Sequence, residues 1–120
     1  MYMKKLTLFF ALCLFTLSMV AQTAPDKYWI AFSNKTNTPY SIAQPLNFLS
    51  QRAIDRRTRM GIPVTAQDFP VNPSYLDSIR HAGAVVLTTS RWHNGATIYT
   101  NDTAVVSHIR ALPFVQNVQK

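Results

Sequence analysis

Asn72-Pro73-Ser74-Tyr75-Leu76-Asp77-Ser78-Ile79-Arg80-His81-Ala82-Gly83-Ala84-Val85-Val86-Leu87-Thr88-Thr89 (NPSYLDSIRHAGAVVLTT) spells out one helix and one strand together with their punctuation. Asn72 is a good cap because its side-chain oxygen can take a free backbone N–H of the first turn. Pro73 fits the first helical position, where no N–H is needed. Leu76 and Ile79, three residues apart, turn one face inward, and Gly83 ends the helix. Ala84 to Thr89 is then short, apolar and β-branched, a second strand after a first that lies upstream.

Downstream, Trp92 to Gly95 (WHNG) predicts a turn, and Ile98 and Tyr99 belong to a third strand. Asp102 or Asn101 caps another helix, with Val105, Ile109 and Leu112 as its inward stripe. Pro113 ends that helix, and Phe114 to Val118 (FVQNV) forms a last strand. Upstream, Tyr28 to Ser33 (YWIAFS) reads as the first strand and Asn34 to Tyr40 as a polar loop. From Pro45, with Gln44 as cap, the pattern is helical: Leu46, Leu49, Ala53 and Met60 share a face, and Gly61 supplies the stop. Arg52, Arg56 and Arg59 line the neighbouring face, and Asp55 is placed to pair with Arg59. Arg57 falls on the apolar stripe, so it must snorkel or find a carboxylate. The connector Ile62 to Asn72 carries Val64, Phe69 and Val71, which implies that it packs on the body.

The order is therefore β, α with an appended short α, β, β, α, β. That is the split βαβ, ferredoxin-like arrangement of the α+β class: a four-stranded antiparallel sheet with helices on one face. The other face has nothing in this sequence to cover it. Alternation puts Ile30 and Ile98 in the helix-covered core and leaves Trp29 and Tyr99 on the open face, where exposed aromatics suit a partner.

The first two dozen residues stand apart. Lys4 and Lys5 precede the apolar run Leu6 to Val20, which has the length of a secretory signal and falls short of the ~20 apolar residues that span a bilayer. Residues 1–21 are expected to be a signal peptide cut after Ala21, with Ala24 as the alternative because Met19 is large for its place. Residues 22–120 then form one exported domain whose only membrane tie is the uncut signal. The single cysteine, Cys13, leaves with the signal, so the domain has no disulfide and no thiolate chemistry. Without Lys4 and Lys5 it carries ten Lys and Arg against five Asp, and no Glu.

No catalytic machinery is legible. G-x-S-x-G, H-E-x-x-H and phosphate-cradling glycine loops are all absent. His81, His93 and His108 are scattered, with no i+3 or i+4 pair, so neither metal nor cofactor is expected. The arginines Arg52, Arg56, Arg57 and Arg59 suit either a solvated helix face or an acidic partner. Nucleic acid is not expected, since no strand carries the basic–Gly–aromatic run of an RNA-binding sheet.

Longer motifs then come into view. Asn47 to Arg57 (NFLSQRAIDRR) is followed by Gly61-Ile62, then Pro70 to Tyr75 (PVNPSY), Ser90 to Asn94 (SRWHN) and Leu112 to Val115 (LPFV). Together they resemble the N-terminal prodomain of secreted subtilisin-like serine proteases, the S8 family, of the type common in Bacteroidetes. The resemblance spans nearly all of Lys27 to Lys120.

It implies an inhibitor I9-like prodomain that acts as intramolecular chaperone and temporary inhibitor of a catalytic domain, with the sheet packed on the protease and the C-terminal tail in its cleft. On that reading Trp29 and Tyr99 mark the docking face, Gln116, Asn117, Val118, Gln119 and Lys120 the inhibitory tail, and Arg52, Arg56 and Arg59 contacts to an acidic partner. None of the family's D-[ST]-G, H-G-T or G-T-S-[MA] signatures is present, so no catalytic residue carries over. The sequence is expected to be the N-terminal part of a protease precursor, a free-standing inhibitor of the same fold being the alternative.

Overall fold

The computed structural model describes residues 2–16 and 24–120. The first helix, α1 (Tyr2–Thr16), lies in the expected signal segment. The cut at Ala21, and Met19 beside it, fall outside the described residues. Among the described residues no helix is long and apolar enough to cross a membrane.

The body follows in the order β1 (Lys27–Phe32), α2 (Gln51–Met60), α3 (Pro73–His81), β2 (Val85–Ser90), β3 (Gly95–Tyr99), α4 (Thr103–Arg110) and β4 (Val115–Gln119), with single 3-10 turns at Pro45–Asn47 and Ala66–Asp68. The strands form one sheet ordered β2-β3-β1-β4, every pair antiparallel. Placing β3 between β1 and β2 makes this the split βαβ topology that the element order implies.

One face of the sheet and two helices make the core. Ile30 from β1, Ile98 from β3, Ile79 from α3 and Ile109 from α4 are all fully buried, with Phe32, Ala96 and Val118 around them. At one end the rings of Tyr75 and Phe114 stack at 4.1 Å and Phe32 leans on both. Burying one isoleucine side chain stabilises by about 1.5–3 kcal/mol, so these four positions carry much of the fold's stability.

The helix caps match the expected chemistry. Asn72 Oδ1 accepts the Ser74 N–H at 3.0 Å, while Asn72 Nδ2 donates to the Thr36 carbonyl at 2.8 Å. Asp102 Oδ1 accepts the Ala104 N–H at 2.8 Å, so Asp102 rather than Asn101 caps α4. Val106 and Ile109 are the buried residues of α4, whereas Val105 and Leu112 sit half-buried at its edge.

The first helical segment differs from expectation. It is not continuous from Leu46: the 3-10 turn Pro45–Asn47 stops, and α2 restarts at Gln51. Ser50 causes the break, since its backbone is extended and its Oγ accepts the Ala53 N–H at 3.2 Å, a cap stronger than any Gln44 offers. The restart also rotates the face. Ala53, Ile54 and Arg57 are half-buried, while Leu46 and Met60 are exposed. Asp55 accepts from Gln51 Nε2 at 2.8 Å rather than pairing with Arg59.

Candidate docking surface

A lateral cluster holds α2 in place. Arg57 donates from Nη2 to Asp68 Oδ1 at 2.6 Å and from Nη1 to Oδ2 at 2.8 Å, which is the carboxylate its position demanded. The Thr65 N–H also reaches Oδ2, at 3.0 Å. Burial alone would raise the Asp68 carboxyl, but the Thr65 N–H, Arg57 and Arg91 together hold it below the usual carboxylate value. Beside it, Lys35 Nζ donates to the carbonyls of Gln67, Phe69 and Arg91 at 2.7–2.8 Å, and burial, aided by Arg91, lowers its affinity for the proton. Arg91 Nη1 reaches the carbonyls of Phe48 and Asp68 at 3.2 Å. The rings of Tyr40, Phe48 and Phe69 fill the space between, Phe48 and Phe69 edge to face at 5.1 Å.

The motif residues Phe48, Ser50, Arg57, Asn72, Tyr75, Arg91 and Asn94 are therefore structural. Asn94, with φ +47°, donates to the carbonyls of Phe32 and Asn34 and closes the turn between β2 and β3 onto β1. Tyr75 donates its hydroxyl to Asn34 Oδ1.

The face of the sheet away from α3 and α4 is open. Strand register places Trp29 opposite Thr97, and Tyr99 between Lys27 and Val85. Trp29 lies flat along β3: a Cβ on Gly95 would stand 2.3 Å from its Cζ2, so only glycine admits the ring there. Tyr99 is 41% exposed. Two residues the sequence reading missed, Val85 and Leu87, are 55% and 49% exposed. Val85 and Leu87 stand two apart and share this face by simple alternation, and the bulge after Val86 adds Thr88 to it out of phase.

The expected tail is mostly a strand. Gln119 pairs with Trp29, Val118 with Ile30 and Asn117 with Ala31; Gln116 falls at a register shift without a partner, and Lys120 lies past the last pair, its ammonium 5.8 Å from the Tyr28 ring. Val118 is a core residue; Gln116, Asn117, Gln119 and Lys120 are exposed.

Arg52, Arg56 and Arg59 are exposed on α2 and edge a cavity of about 300 Å³ with Ser50 and Ala53. The structure keeps these three together and separates them from Arg57. No group of His, Cys, Asp or Glu that could hold a metal occurs among the described residues.

The family model of the peptidase S8 propeptide domain of Bacteroidota matches residues 27–120, the whole of the sheet-and-helix body just described. The chain belongs to this family. No curated protein and no solved structure matches it. Of the four stretches that carry the resemblance, the first three lie mainly in the lateral cluster, the helix caps and the turn between β2 and β3 of the propeptide domain, whose sheet keeps one face clear of α3 and α4.

Proposed function

We propose that this S8 propeptide domain assists folding of a cognate subtilisin-like catalytic domain and inhibits it until processing is complete. The observation that carries the reading is the open sheet face. It carries half-buried Trp29 on β1, Tyr99 on β3 and exposed Val85 and Leu87 on β2, with Thr88 and Thr97 among them and Lys27, Asn117 and Gln119 on the side of β1 and β4. A patch of that make-up on a small domain suits burial against a partner, with aromatic side chains as anchors. Association with an S8 catalytic domain follows from the family; the use of this face, with Trp29 and Tyr99 at its centre, is our inference.

Inhibition is assigned to the C-terminal segment Gln116 to Lys120. Because β4 is an edge strand, its free backbone edge suits pairing with an extended strand of the protease. We assign residues 1–21 to a signal peptide that sends the precursor across the membrane and is cut before Gln22.

The test is inhibition and refolding in trans. The chain should inhibit the cognate catalytic domain, raise the yield of active enzyme on refolding, and lose both effects with Trp29→Ala and Tyr99→Ala combined. A double variant that folds and inhibits as well as the parent would exclude the open face. A parent chain that neither inhibits nor aids refolding would exclude the prodomain reading.

A further inference from the structure

Helix α2 stands outside the economy of the core. It buries no residue, it lies off the sheet, and the split βαβ topology is complete without it. Yet the chain fixes it with a capped N-terminus and a largely buried ion pair to the connector. Such rigidity has a use if the outward face of the helix must be presented in a set orientation.

That face is a row of guanidiniums. Arg52, Arg56 and Arg59 stand at i, i+4 and i+7, within about 60° of one another around the helix and about 10 Å apart from end to end. Four of the five aspartates of the body are engaged elsewhere: Asp68 by Arg57, Asp77 by Arg80, Asp55 by Gln51 and Asp102 by the cap of α4. Among the described residues no carboxylate lies within salt-bridge distance of the three. The helix carries arginine throughout and no lysine, and a planar fork of donors suits two-point recognition of carboxylates better than diffuse attraction. Met60 continues the row four residues after Arg56 and is 66% exposed. Arginine with an exposed methionine is the composition of a protein interface.

We propose that the Arg52–Arg56–Arg59 row is a second docking contact, which takes an acidic surface of the cognate S8 catalytic domain and guides the two together. The inference rests on the proposed prodomain function. Its contribution differs from that of the open face: charges at the edge of an interface chiefly raise the association rate, while buried aromatic anchors slow dissociation.

The test compares two variants of the chain against the cognate catalytic domain by stopped-flow association over a salt series. Arg52→Gln, Arg56→Gln and Arg59→Gln combined removes the charge while keeping good helix formers, and unchanged circular dichroism verifies the fold. At low salt the triple variant should associate at least about tenfold more slowly than the parent, and the two rates should converge as salt screens the charges. Trp29→Ala should instead raise the dissociation rate. Equal association rates and salt slopes for parent and triple variant would overturn the row's role and leave the prodomain function standing. Failure of the parent itself to bind would overturn both. Anionic phosphatidylglycerol vesicles and heparin serve as counter-probes. If they bind the parent, release the triple variant, and the protease does not distinguish the two, the row belongs to a polyanion and the proposal fails.

Discussion

Replacing Arg57 by alanine isolates the bond on which the position of α2 depends. The side chain of Asp68 is 4% exposed and that of Arg57 19%. The substitution therefore leaves a nearly dry carboxylate with the Thr65 N–H as its remaining partner on the carboxyl oxygens. Breaking a buried pair from one side costs about 3–5 kcal/mol, and the lower end applies because water reaches the Arg57 side. With a urea m-value of about 1.5 kcal/mol/M, about 3 kcal/mol moves the midpoint down by about 2 M. Replacing both partners, Arg57→Met with Asp68→Leu, strands no charge and should cost about 1 kcal/mol, mainly the Thr65 bond. The difference is a coupling that a double-mutant cycle reads directly. The pH dependence has a definite sign. The Asp68 carboxyl is held below its ordinary value, so on acidification the unfolded chain takes up that proton first. The pair's stabilisation is therefore complete above about pH 4 and falls away as pH drops through the folded-state value. A cost under about 1 kcal/mol for Arg57→Ala, or strict additivity in the cycle, would refute this account.

Three further outcomes are expected. Ile98→Ala, at a fully buried site, should lower stability by about 2–5 kcal/mol in the same urea titration. Gly95→Ala should cost about 1–3 kcal/mol, and part of that should be recovered in a Trp29→Ala background, because the added methyl meets both the Trp29 ring and the Ile30 carbonyl; no recovery would place the whole cost on the backbone contact. Deleting Gln116 to Lys120 should unfold the domain, seen as loss of a cooperative thermal transition, since it removes β4 and Val118, whereas deleting Lys120 alone should leave stability within about 0.5 kcal/mol.

The order of strands and helices was legible because the caps announce themselves: Asn72, Pro73 and Asp102 each do locally what their chemistry favours. The open face was half legible. Alternation placed Trp29 and Tyr99 opposite Ile30 and Ile98, and the same period applied to β2 gives Val85 and Leu87, whereas the shift that brings Thr88 onto this face depends on cross-strand pairing that a single strand does not display. The arginine helix was the hardest part to place. Periodicity suggested one long helix with Leu46 and Met60 inward, whereas the Ser50 cap breaks it and the true inward face centres on Arg57. The stripe on which Arg57 falls was legible, but the partner that fixes it, Asp68 eleven residues away, is shown by no local pattern in the helix. Periodicity already set Arg57 apart from Arg52, Arg56 and Arg59; what the structure adds is its partner, Asp68.

The bonds that hold α2 also divide the domain in time. The ammonium of Lys35 joins carbonyls 32, 34 and 56 residues away, so its three bonds cannot close before the sheet has brought β1 and the turn after β2 together. The lateral cluster is then a late structure that rests on an early one and shares few side chains with it. Native-state hydrogen exchange should resolve two tiers: amides of α2 opening together at a free energy below the global value but not less than the roughly 3 kcal/mol that the Arg57–Asp68 pair contributes, and those of β1 and β3 only with global unfolding. A domain built in this way can let go of its arginine helix while the sheet remains whole.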